Sequence, residues 1–270
     1  MPPTLPQLSV SRLRSYLFRL PLCTRLICTI IAFLWFLSVL PIFDVQQWGS
    51  LIPEEIGLAT LYRTNTFPLV HAGFVHTILN IIALTPLLER FEAKHGTLTT
   101  FALFFGPLST IPALMYTVLE RGVLRSNTAV LGASIWVFML IGMEAIQTYR
   151  SNPYFLLGTN QIPTWTTPLI LLLFVTVLVP NTSFLGHLCG LAVGYLFGLG
   201  YLKFLAPPEW GLRWIEGKLN LLGRVPHYVS VDQKTYGRYG VLPTTSPTVN
   251  APGEGAVPMG YVATTQRLGP

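Results

Sequence analysis

The sequence predicts an all-α polytopic membrane protein, a six-transmembrane-helix fold with both termini cytosolic and a disordered C-terminal tail. Three observations carry this. Half of the residues are apolar (51%) and only 10% are charged. The apolar residues gather into blocks about 20 long, the length of helix that crosses roughly 30 Å of hydrocarbon, rather than into amphipathic stripes. Lys and Arg lie overwhelmingly on one side of those blocks: of 17, only Arg63, Arg121 and Arg125 fall on the other, which by the positive-inside rule makes the basic side cytosolic.

The chain divides into a cytosolic N-terminal segment over 1–25, a six-helix domain over 26–205 and a cytosolic tail over 206–270. The first block, Leu26–Phe43, follows Arg12, Arg14, Arg19 and Arg25 and runs into Asp44-Val45-Gln46-Gln47 without a small-x-small cleavage site. It therefore reads as a span rather than a cleaved signal peptide. The others are Phe67–Leu88, Leu98–Leu119, Thr128–Thr148, Trp165–Val179 and Ser183–Leu205. Pro107 and Pro112 predict a kink in the third. Glu144 falls about 15 Å beyond Ser134 by helical rise, so it belongs near the cytosolic end as a structural residue. After Leu205, "APPEWGLRWIEGKLNLLG" mixes Trp210, Trp214, Ile215 and Leu219 with Arg213 and Lys218. That pattern predicts an amphipathic stretch over about 208–222 lying on the membrane surface. From about 243 the chain is rich in Pro, Gly, Thr and Ser and should be disordered.

Polar side chains are costly in hydrocarbon, so those found at membrane depth mark candidate sites. The second span holds "HAGFVHTILN", in which His76 and Asn80 share one helix face and His71 sits about a turn and a half above. The fourth holds Ser134 in "VLGASIWVF", and the sixth holds His187 in its first turn. All three spans run inward from the lumenal side, so five polar residues converge in their first halves. Gly186, Gly190, Gly194 and Gly198 make a side-chain-free stripe that would let another helix approach, with Gly132 and Ala133 as suitable partners. A serine beside a histidine is the minimum machinery of acyl transfer, and His76 with Asn80 can supply oxyanion donors. No aspartate lies at this depth, so a hydrolase here would use a Ser-His dyad. A metal is not expected: His71 and His76 are five apart, and no carboxylate or thiol joins them. Cys23, Cys28 and Cys189 offer neither a ligand spacing nor a disulfide framework. The positive charge follows topology and lipid attraction, not nucleic acid.

From Leu61 to Leu205 the chain resembles the rhomboid intramembrane serine proteases of the basic six-helix type. The resemblance rests on Gly132-x-Ser134, on His187 with Gly190 and Gly194, and on His71-x4-His76-x3-Asn80. It extends to Tyr62-Arg63, where the family usually has Trp-Arg, and to Glu92 with Gly96. It implies Ser134 as nucleophile and His187 as general base. His76, Asn80 and a backbone amide near Ser134 would form the oxyanion site, with His71 in support. Ile135 stands where the usual Gly-x-Ser-Gly has its second glycine. A similar Gly-x-Ser-x form occurs in the Golgi rhomboids of fungi, which the chain also resembles in size and in its long cytosolic tail.

The resemblance implies an enzyme without cofactors that cleaves transmembrane segments of single-span membrane proteins near the lumenal face, within the endomembrane system and most specifically the Golgi. The alternative is a rhomboid-like protein that binds transmembrane clients in quality control without cutting them. Such relatives typically lack the serine or the histidine, and both are present here. The end of the tail, "YVATTQRLGP", resembles the short box by which disordered tails recruit the valosin-containing AAA ATPase, with Tyr261, Gln266, Leu268 and Gly269 as its contacts and Ala263 and Thr265 in place of its glycines.

Overall fold

The computed structural model of the chain describes residues 10–179 and 182–234. A short helix, α1 (Val10–Arg19), precedes α2 (Leu22–Val39), whose N-terminus is set by Pro21. The chain then turns through α3 (Val45–Gly49), capped by Asp44, and α4 (Arg63–Thr66) before entering α5 (Phe74–His95). Gly96 ends α5 at φ +88, a left-handed conformation that a side chain would strain. The third block is broken: α6 (Thr97–Phe104) stops, and α7 (Pro107–Val118) restarts and runs into a π-turn at Leu119–Val123. The break falls at Phe105-Gly106 because Pro107, lacking an N–H, begins a helix more easily than it continues one. Pro112 stays inside α7.

Next come α8 (Ser134–Ser151), an antiparallel hairpin pairing Tyr154–Leu157 with Asn160–Pro163, α9 (Thr167–Leu178) and α10 (Phe184–Leu199). Ser183 caps α10 by accepting from the Gly186 N–H at 3.0 Å. Beyond Gly200 the path bends by 93° into α11 (Glu209–Leu219), followed by α12 (Leu221–Arg224).

All six apolar blocks therefore contain helix, but with shifted ends. The stretch 67–73 precedes α5 and 128–133 precedes α8, and neither is helical despite its apolar character. Among the described residues, three helical runs are long and apolar enough to cross a membrane, Leu22–Val39, Phe74–His95 and the α6–α7 run Thr97–Val123, and four if the bent pair from Phe184 to Leu219 is one span. α8 falls short because Glu144, Gln147 and Arg150 lie in its second half. It is instead largely enclosed by protein, with Trp136 and Met139 fully buried. Glu144 receives a paired contact from Arg90 at 2.7 and 2.9 Å.

α8 packs on α10 along the glycine stripe. A Cβ on Gly190 would collide with the Ile135 carbonyl oxygen, and one on Gly194 with that of Met139. The stripe thus meets the backbone of Ile135 and Met139, not Gly132 and Ala133, because α8 begins only after those two residues. At the opposite end of α8 from Ser134, a segment beyond α12 closes the bundle. Leu22 N–H donates to His227 O at 2.9 Å and Thr97 N–H to Val229 O at 2.8 Å. The fully buried Glu92 carboxylate accepts from Cys23 N–H, Thr24 N–H and the hydroxyls of Thr24 and Thr97, all within 2.9 Å. Tyr228 donates its hydroxyl to Glu216 at 2.7 Å, and burial together with that carboxylate pushes the phenol pKa up.

Candidate active site

Ser134 is the first residue of α8, and its position is set by the turn before it. Gly132 adopts φ +113, and a Cβ there would sit 2.7 Å from the His76 ring. Only glycine meets both demands. The Gly132 N–H donates to Phe67 O at 2.9 Å. Two residues upstream, Val130 exchanges both backbone hydrogen bonds with Leu51 at 2.9 and 3.0 Å. The nucleophile's approach is therefore pinned to the loop that follows α2.

His187 Nε2 lies 2.8 Å from Ser134 Oγ. The serine hydroxyl can donate to that nitrogen, which places the ring proton on Nδ1. Nδ1 is buried and has no hydrogen-bond partner among the described residues, so none of their carboxylates orients this imidazole. Orientation comes from packing instead: Phe138, one turn along α8 from Ser134, stacks on the His187 ring at 4.5 Å and 27°. Sequence reasoning missed Phe138, although its spacing of four from the serine was legible.

His71 does not extend the α5 face. It lies in the turn before Phe74, because Gly73 takes the extended conformation from which the helix starts. From there its Nδ1 reaches Leu69 O at 3.2 Å, and a carbonyl can only accept, so Nδ1 carries the proton. Nε2 is left free to accept from the Ala133 N–H at 3.2 Å. His71 thus holds the turn that presents Ser134. His76 does start from the α5 face, its ring 5.1 Å from that of His71 and against Gly132. Asn80 is buried, and one hydrogen of its amide goes to His76 O at 2.8 Å, leaving the other.

Tyr62 and Arg63 brace the loop after α2. Tyr62 stacks on Trp48 at 5.6 Å, and the buried Arg63 donates to Ser50 O at 3.1 Å while pairing with Glu55 at 2.9 Å. Ile135 is buried with its side chain toward Gly190 of α10. The tail residues Tyr261, Gln266, Leu268 and Gly269 lie outside the described residues.

A helical membrane bundle that brings a serine at a helix N-terminus against an imidazole defines a class. The Rhomboid domain family model matches residues 58–204, and the chain belongs to that family. Among curated relatives, rhomboid-type serine protease B of Aspergillus fumigatus is 61% identical over 272 residues, which cover 100% of this chain and 99% of the relative. Rhomboid-type serine protease 2 of Neurospora crassa is 60% identical over 265 residues, covering 97% of this chain and 95% of the relative. That of Yarrowia lipolytica is 37% identical over 194 residues, covering 68% and 64%. The chain is a rhomboid-type serine protease of the membrane, with fungal relatives.

Proposed function

We propose that the protein cleaves transmembrane segments of single-span membrane proteins with Ser134 as nucleophile and His187 as general base. The observation that carries this is the 2.8 Å contact between Ser134 Oγ and His187 Nε2. Oγ attacks the scissile carbonyl while Nε2 takes its proton, and the tetrahedral intermediate collapses as that proton passes to the leaving amine. Water then repeats the sequence on the acyl-enzyme. Ser134 and Ile135 open α8, so their N–H groups have no partner within the helix, and the helix N-terminus favours negative charge there. With His76 and Asn80 they form the oxyanion site. No carboxylate accepts the Nδ1 proton of His187 among the described residues, which supports a dyad rather than a triad.

The distribution of Lys and Arg supports cytosolic termini and a Ser134 in the lumenal half of the bilayer. Residence in the Golgi, and recruitment of the valosin-containing AAA ATPase through Tyr261, Gln266, Leu268 and Gly269, complete the reading; the resemblances noted in the sequence support both. The test is cleavage of a reporter single-span substrate by purified protein in lipid. Ser134→Ala and His187→Ala should each reduce cleavage to background while remaining folded. Undiminished turnover by either would overturn the assignment.

A further inference from the structure

We propose that Tyr116 and Glu120 are positioning residues for the nucleophile: together they grip Thr128 and so hold in place the non-helical segment Thr128–Ala133 that delivers Ser134. The inference rests on the reading of Ser134 as nucleophile. The Tyr116 hydroxyl donates to Thr128 O at 2.8 Å, and the Thr128 N–H donates to the Glu120 carboxylate at 3.1 Å. Both backbone groups of one residue are therefore taken by two side chains one helical turn apart. The Ser126 N–H adds a bond to Glu120 O at 2.9 Å. Tyr116 is 1% exposed and Glu120 4%, whereas Thr128 is exposed, so two buried side chains anchor a surface segment from beneath.

The grip continues a regular pattern. Thr128 is held by Tyr116 and Glu120, Val130 by Leu51, Gly132 by Phe67 and Ala133 by His71. The first three are alternate residues, as along a strand edge, Ala133 adds a tie next to Gly132, and the ties come from separate parts of the bundle. The Thr128 tie is the farthest upstream, roughly 20 Å of chain from Ser134, and the hydrogen bonds of Tyr116 and Glu120 go to Thr128 rather than to Ser134 or His187. Glu120 sits in the π-turn Leu119–Val123, a departure from α geometry of the kind that recurs at functional sites. The buried Glu120 side chain meets the cost of its charge by accepting the Thr128 backbone N–H.

The experiment compares Tyr116→Phe, Glu120→Ala, Glu120→Gln and Ser134→Ala in lipid. It measures kcat and KM on the reporter substrate, the rate of Ser134 labelling by a fluorophosphonate, and the thermal midpoint. Tyr116→Phe removes only the hydroxyl, which donates to Thr128 O and also meets the side chain of Ser183, and should lower kcat and labelling about fivefold, with KM within twofold. Glu120→Ala should lower both by about 10- to 100-fold, since small misplacements of a reacting group are expensive. Glu120→Gln keeps an oxygen that can accept from Thr128 and should recover to within about threefold of wild type. If Tyr116→Phe and Glu120→Ala keep wild-type kcat and labelling well below their midpoints, or if Gln fails to rescue, the positioning role is overturned. Ser134→Ala that still cleaves would instead overturn the underlying assignment of the nucleophile.

Discussion

Replacing Gly194 by alanine tests whether the contact between α8 and α10 sets the catalytic distance. A Cβ at Gly194 would lie 2.8 Å from the Met139 carbonyl carbon and 2.9 Å from its Cα. Carbon atoms pack at about 3.5–4.0 Å, and all these neighbours are backbone, so the helices must separate by roughly 1 Å. Met139 and Gly194 lie on the helices that carry Ser134 and His187, a little over one turn and two turns beyond them. The 2.8 Å contact between Nε2 and Oγ would then open past the roughly 3.2 Å limit for proton transfer through a hydrogen bond. Overpacking of this kind costs about 1–3 kcal/mol of stability, and a 1 Å displacement about 100-fold in rate. The assay is kcat on the reporter substrate beside thermal unfolding in the same lipid. Gly217→Ala is the control: it lies in α11, and its Cβ meets nothing within 4 Å, so it should leave both readings near wild type or slightly raise stability. Wild-type kcat in Gly194→Ala, or equal damage from Gly217→Ala, would refute the reasoning.

Phe138→Ala should lower kcat by about tenfold, because the imidazole loses the stack that orients it and has no partner at Nδ1; a Tyr at this position should preserve the rate. Glu92→Ala should lower stability by about 2–4 kcal/mol, read as a drop in the thermal midpoint, since it leaves the N–H groups of Cys23 and Thr24 unpaired in a buried site. Substrates with Gly or Pro in the upper part of their span should be cut faster than versions carrying Leu there, measured by competition in one reaction. A peptide carbonyl inside a transmembrane helix becomes attackable only after local unwinding, and equal rates would count against that.

The hydrophobic blocks were legible because bilayer thickness imposes them residue by residue, and all of them contain helix. Their ends were not. Apolar character at 67–71 and at Val130 records burial, which a pinned extended segment requires as much as a helix does. The candidate dyad was legible for a related reason: Ser134 and His187 stand out against a solvent that excludes polar groups. Phe138 was hidden because an aromatic ring in a span is the expected background.

Sequence alone thus determined the class of solvent, the approximate spans, the polar residues to watch and the small residues that permit close approach. These are local properties, each readable within one or two helical turns. Tertiary structure decided which of them meet: His187 with Ser134 across 53 residues, His71 with Ala133 across 62, and Glu92 with Thr24 across 68. It also decided that the glycine stripe meets Ile135 and Met139, and that a segment near His227 closes the far end of the bundle. Such pairings depend on how several helices pack at once, and no stretch of chain short enough to read by eye contains that information.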